Sequence, residues 1–181
     1  NYWIFHVDLW GRIHSEQKND DLRLSNSFTA RRVTEEWKYE TSAWYSHNEE
    51  SYTDDEEEIT STRKQSMLRM EIIKSLSPHW SAGLFATGRH STYQNLDLQA
   101  SLSPAVEYNI FPWKLSNRKT FTIGYYLGFR RNRYIEETLY NKMEQNLLYE
   151  SLGLNVELIE PWGELDARLD FSHYFHNLDY Y

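Results

Sequence analysis

His6, Asp8, Trp10, Arg12 and His14 fall at every second position, so an extended chain projects all five from one face. A carboxylate two residues from an imidazole can orient it for general-base work. Two imidazoles and a carboxylate could instead hold a metal ion. The sequence fixes no serine beside them, and no HExxH or GxSxG motif occurs in the chain. The plainer reading is a hydrogen-bonded network inside a folded wall, with no catalytic residue, no metal and no cofactor.

A larger set has the same character. Arg12, Arg23, Arg69, Arg130 and Arg168 share polar strand faces with Asp8, Glu40, Glu71, Asp97, Glu107, Glu157, Asp166 and Asp170. Such residues could form a charged constriction that selects solutes. Mixed signs favour paired charges that fill and stiffen an interior. The acidic segment from Glu49 to Glu58 lacks EF-hand spacing. It reads as a solvated loop rather than a site for Ca²⁺ or for cations bridging a lipopolysaccharide surface.

The elements that must position these residues follow from alternation. In "LDLQASLSPAVEYNIFPW" (96–113) every second residue is apolar and most of the others are polar, the pattern of a β-strand with two unlike faces. The same test predicts nine strands: 3–14, 22–30, 37–46, 66–75, 80–89, 96–110, 120–130, 148–159 and 165–176. Pro104 is expected to sit at a bulge, because it has no N–H for a ladder. Compact turns at 31–36, 77–79, 111–119 and 160–163 alternate with the longer polar segments 46–64 and 131–145, both read as loops. Segment 90–95 is short but falls on the long-loop side.

The chain has 181 residues, a net charge of −8 and no cysteine. Its mean hydropathy is −0.77. Disulfides are excluded, and the negative charge argues against a nucleic-acid partner. No run reaches the roughly 18 apolar residues of a membrane helix, whereas a membrane barrel exposes only alternate residues to lipid. The 14 Tyr and 7 Trp suit positions where apolar and wet surroundings meet. Trp3, Trp37, Tyr39, Trp80, Tyr108, Trp113 and Trp162, with Phe5 and Phe111, gather at or near the compact turns, as an interfacial girdle would. Rings such as Trp10, Trp44, Phe85, Tyr126, Tyr149 and Tyr174 lie on the polar face, which fits a crowded lumen better than a solvated surface.

The segments "LSPAVEYNIFPW", "RKTFTIGYYLGFRRNRYIEETLYNK" and "LIEPWGELDARLDFSHYFHNL" resemble an uncharacterised family of bacterial outer-membrane β-barrel proteins from Bacteroidetes-like envelopes. The resemblance covers about residues 96–178. It implies an integral barrel with further C-terminal strands, and it supplies no catalytic residues.

The expectation is therefore an all-β, antiparallel, up-and-down transmembrane β-barrel forming one domain over residues 1–181. About nine strands are visible, and the even-number rule for such barrels suggests a total near twelve, with strands beyond Tyr181 and residues before Asn1. The expected function is a non-enzymatic scaffold or subunit of an envelope assembly in the bacterial outer membrane. Its partners would be outer-membrane lipids, lipopolysaccharide and other envelope proteins. The interior would hold His6, Asp8, Arg12, Arg69, Glu71, Glu107, Arg130, Asp166, Arg168 and Asp170. A narrow channel, an outer-membrane lipid hydrolase and a soluble lipocalin-like carrier are the alternatives.

Overall fold

A computed structural model describes residues 2–17, 19–54, 57–115 and 118–175, with the side chains of 53, 54, 57, 58 and 113 left aside. Within them, nine strands run in series: β1 (Trp3–Ser15), β2 (Asn19–Val33), β3 (Trp37–Asp54), β4 (Glu57–Ser75), β5 (Trp80–Ser91), β6 (Leu96–Asn109), β7 (Lys119–Tyr134), β8 (Glu144–Glu160) and β9 (Gly163–Tyr174). Each pairs antiparallel with the next, in the order β1 to β9. The result is one all-β, up-and-down sheet. It is not closed: β1 and β9 are its two edges, and almost every residue on them is exposed.

Alternation locates every strand, and the ladder corrects three details. First, residues 46–54 and 57–64 are not loop. They extend β3 and β4 as a paired hairpin in which His47 faces Lys64 and Ser51 faces Thr60, the last two joined at 2.9 Å. Both faces are polar there, so the two-residue period carries no hydrophobic signal although the backbone pairing continues. The ends of 131–145 are likewise strand, leaving 135–143 as the connection. Second, Pro104 makes no bulge. It lies opposite Leu84, and the β6–β7 register is the same before it, at Leu102↔Phe129, as after it, at Ala105↔Tyr126. The missing N–H is absorbed without inserting a residue. Third, the register shifts instead at Arg89/Ser91 and at Leu96/Leu98. There Asp97 pairs with Arg133 at 2.5 Å rather than joining the charges of the polar face.

The turns at one end are short and tied by their own side chains. The Thr34 hydroxyl accepts from Trp37 N–H at 2.9 Å. His79 Nδ1 lies 2.8 Å from the Asn109 carbonyl. At the other end Asn95 adopts φ 57°, a left-handed conformation that asparagine tolerates better than most residues. Its side chain exchanges two hydrogen bonds with the Glu136 backbone, at 2.8 and 2.7 Å, clamping the β5–β6 turn to the β7–β8 connection.

The polar face of the sheet lines a cavity of about 710 Å³ whose walls come from β2 through β9. Twist gives the apolar face a hollow of its own, of about 590 Å³, along Phe28, Ala43, Tyr45, Leu68 and Leu98. Among the described residues no second layer covers the apolar face. Leu102, Phe129, Leu169 and Phe171 are between 47% and 61% exposed, where a two-layered domain would bury such side chains.

Candidate functional site

The polar face is built by glycines opposite rings. On β7, the Tyr126 ring lies over Gly124: a Cβ there would come within 2.7 Å of it. Gly153, on β8 opposite Gly124, lies under the same ring at 3.3 Å. On β5, a Cβ at Gly83 would come within 2.9 Å of the Phe85 ring, and across the β7–β8 pair the Tyr149 ring takes the space a Cβ at Gly128 would fill. Phe85 and Tyr126 meet edge to face at 5.3 Å. Rings laid flat on glycines let a concave wall carry large side chains.

Polar bonds fix these rings. The Tyr126 hydroxyl donates to Glu107 at 2.7 Å, and Glu107 also accepts from Ser81 at 3.3 Å. Tyr149 and Ser103 hydroxyls lie 3.1 Å apart. Arg130 sits 4.9 Å over the Tyr149 ring and donates to the Tyr174 hydroxyl at 3.2 Å.

The ten charged residues expected in one interior network divide into two groups. Arg69, Glu71, Glu107, Arg130, Arg168 and Asp170 line the cavity. Glu71 accepts from Lys38 at 2.8 Å, and Arg168 grips Asp170 at 2.7 and 3.1 Å. His6, Asp8, Arg12 and Asp166 lie on the two edge strands, outside the cavity lining. Arg12 stands opposite Arg23, which is held by Asp21 and Glu50 at 2.9 and 3.1 Å. Asp166 stands opposite Glu157, a like-charge pair that weakens a ladder. Lys38, Arg31, Arg89 and the glycine partners were missed as site residues. The glycines could have been read from their position two residues before a ring in "GLF" and "GYY".

The structure does bring a serine to the His6–Asp8 pair. Ser27 donates to Asp8 Oδ2 at 2.9 Å, and His6 Nε2 lies 3.0 Å from the same oxygen. A relay needs the imidazole between hydroxyl and carboxylate. Here the carboxylate is between the other two, so His6 cannot take the Ser27 proton. Among the described residues no group of three or more His, Asp or Glu side chains could hold a metal ion.

On the apolar face the aromatics do assemble. Trp3 lies 6.1 Å from Phe5 and 6.3 Å from Tyr39, and Tyr39 stacks with Trp37 at 5.7 Å. Trp80 meets Tyr108 at 5.1 Å. Arg32 lies 5.9 Å over Trp3, and Lys74 lies 5.2 Å over Trp37. Trp162 projects from the β8–β9 turn, 72% exposed. The Trp113 side chain, the acidic residues 55 and 56, and residue 176 of the ninth expected strand lie outside the described residues.

The aromatic line is oblique to the ladder. From Trp3 the paired row runs through Arg32, Tyr39 and Ile72 to Leu84, four residues beyond Trp80 on β5. From Trp80 it runs through Tyr108, Ile123 and Leu154 to Leu169, four residues beyond Leu165, the first apolar residue of β9. The aromatic line thus slips one residue per strand from β1 to β5, and the start of the apolar face keeps the same slip from β5 to β9. With about 3.3 Å per residue and about 4.8 Å between strands, that slip equals a strand tilt of roughly 35°.

Sequence feature that neither periodicity nor the girdle anticipates is Glu150, on the apolar face between Tyr125, whose hydroxyl donates to it at 2.6 Å, and His173 at 3.7 Å. Leu148 and Phe175, each two residues further from the compact turns on the same face, are apolar and exposed, so Glu150 and His173 lie just inside the far margin of the apolar band. No protein-family model and no curated protein matches the chain.

Proposed function

We propose that this chain forms the wall of an integral β-barrel in a bacterial outer membrane and acts, without catalysing a reaction, as a scaffold or subunit of an envelope assembly. The oblique aromatic line carries the reading. A flat membrane interface cuts tilted strands at a steady slip, and roughly 35° lies at the low end of the tilt of membrane barrels, about 35–45°. The apolar band is also the right height. From Trp3 to Ile13 on β1 it spans ten residue steps, roughly 27 Å along the membrane normal after tilting, close to the roughly 25 Å belt of such barrels.

Two further features support lipid on the outside. Among the described residues the apolar face has no protein layer over it, and the polar face lines a cavity of its own. A lipocalin-like carrier would have these faces the other way round. In the membrane the open edges of β1 and β9 must be paired, because lipid cannot satisfy them. Additional strands, toward a total near twelve, would close the barrel and bring His6, Asp8, Arg12 and Asp166 onto the same interior as the cavity residues.

The scaffold role follows from the crowded wall, with rings of Phe85, Tyr126 and Tyr149 laid across it. Reconstitution into planar bilayers tests it. Silent bilayers are expected, and a steady ohmic conductance would replace the scaffold with a narrow channel.

A further inference from the structure

Charge on the polar wall is segregated. Toward the compact turns, the carboxylates have partners of their own: Glu71 holds Lys38, Glu107 holds Tyr126 and Asp170 holds Arg168. Toward the long connections the wall is arginine. Arg69, Thr87, Ser101 and Arg130 occupy one paired row across β4, β5, β6 and β7. Arg89 stands two residues further along β5, opposite Gln99.

Arg69 and Arg89 make no hydrogen bond or ion pair among the described residues, and the buried Nε of Arg130 has no partner there. The carboxylate nearest in sequence to Arg69 on this face, Glu71, is already taken by Lys38. Arg69 and Arg89 are diagonal neighbours on adjacent strands, where side chains are about 7–8 Å apart and like charges repel. All three arginines line the same cavity, whose lining has six basic and four acidic side chains in a chain of net charge −8. Glu40, just outside the lining, pairs with Arg31 and Lys38 at 3.6 and 3.8 Å, which leaves the excess at Arg69 and Arg89.

We infer that Arg69, Arg89 and Arg130 form a binding site for a soluble phosphate-bearing anion on the polar wall. The guanidinium forks bind phosphate oxygens in pairs. The Thr87 and Ser101 hydroxyls are bonded to each other at 2.6 Å between the outer arginines, which leaves one hydroxyl proton of the pair as a neutral donor at its centre. The site stands on the geometry of the polar face alone, so it holds whether that face encloses a silent or a conducting lumen.

Titration of inorganic pyrophosphate into the purified chain in non-ionic detergent, followed by calorimetry, tests the site. Saturable binding is expected, weakened on the order of tenfold for each arginine lost in Arg69→Gln and Arg89→Gln. Arg69→Lys and Arg89→Lys keep the charge but not the paired hydrogen bonds, so their affinity should fall between wild type and the Gln variants, which separates loss of the site from loss of the fold. Arg168→Gln, on the same wall but committed to Asp170, leaves binding unchanged. Absence of binding at millimolar pyrophosphate, or equal affinity in the Gln variants, overturns the inference. So does competition by phosphatidate in mixed micelles, which would assign the arginines to a lipid headgroup.

Discussion

Tyr126 reaches Glu107, 2.7 Å from its hydroxyl, only because Gly124 leaves the ring room to lie flat on the wall. A side chain at 124 and a Tyr126–Glu107 bond exclude each other. Packing of the polar face therefore depends on where side chains are missing as much as on which are present.

Gly124→Ala should destabilise the fold by about 1–3 kcal/mol, the usual cost of overpacking, because the ring must lift and release Glu107. Gly88→Ala is the control. A Cβ there meets nothing within 4 Å, and stability should stay level or rise by up to about 1 kcal/mol. Thermal unfolding in detergent, read by near-ultraviolet circular dichroism, compares the two. Equal effects would remove the role assigned to the Gly124 gap.

The Tyr149 ring over Gly128 permits a stricter test, because the two residues are on different strands. Gly128→Ala should be strongly destabilising alone. In a Tyr149→Ala background it should cost little, giving a coupling of about 0.5–3 kcal/mol. Additive effects in denaturant titrations would mean that the ring does not rest on residue 128.

Depth along the apolar face should govern the cost of a charge. Leu84, four residues above Trp80, is near the middle of the proposed band, and Ile13 is at its margin. Leu84→Arg should cost about 2–4 kcal/mol on folding into vesicles, and Ile13→Arg about 0–1. Equal costs at the two positions would argue against a lipid belt.

The compact-turn end holds a pH-sensitive tie. Glu160, at the end of β8, accepts a hydrogen bond from Lys119, which holds its carboxyl below the ordinary value. A carboxyl whose folded value is depressed adds stability above its unfolded value, and this is lost as pH falls through the folded one. Wild type should therefore lose more stability than Glu160→Gln on acidification below about pH 4.5. The difference should be small, because the pair is solvated, and should fade in about 1 M salt. Identical acid titration curves at low salt would exclude the tie.

Much of this architecture is legible in the sequence because one face of each strand is apolar. From Trp3 to Phe171 that alternation marks nine strands and separates the two faces. It fails at His47, Asn48, Arg63 and Lys64, where both faces are polar and only cross-strand pairing defines the strand. Pro104 misleads for a related reason: a missing donor suggests a bulge, yet the surrounding ladder holds the register. The charged set is legible as a face but not as a site. Which cation takes which carboxylate depends on register between strands, and the shift at Leu96/Leu98 alone sends Asp97 to Arg133. The arginine row across Arg69, Thr87, Ser101 and Arg130 becomes visible only once four strands are aligned.

The apolar face is proposed to meet lipid, and carbonate extraction of membranes carrying the chain tests this most directly. The chain should stay in the membrane pellet at alkaline pH and enter solution only with detergent. Release into the carbonate supernatant as a folded protein would contradict the account.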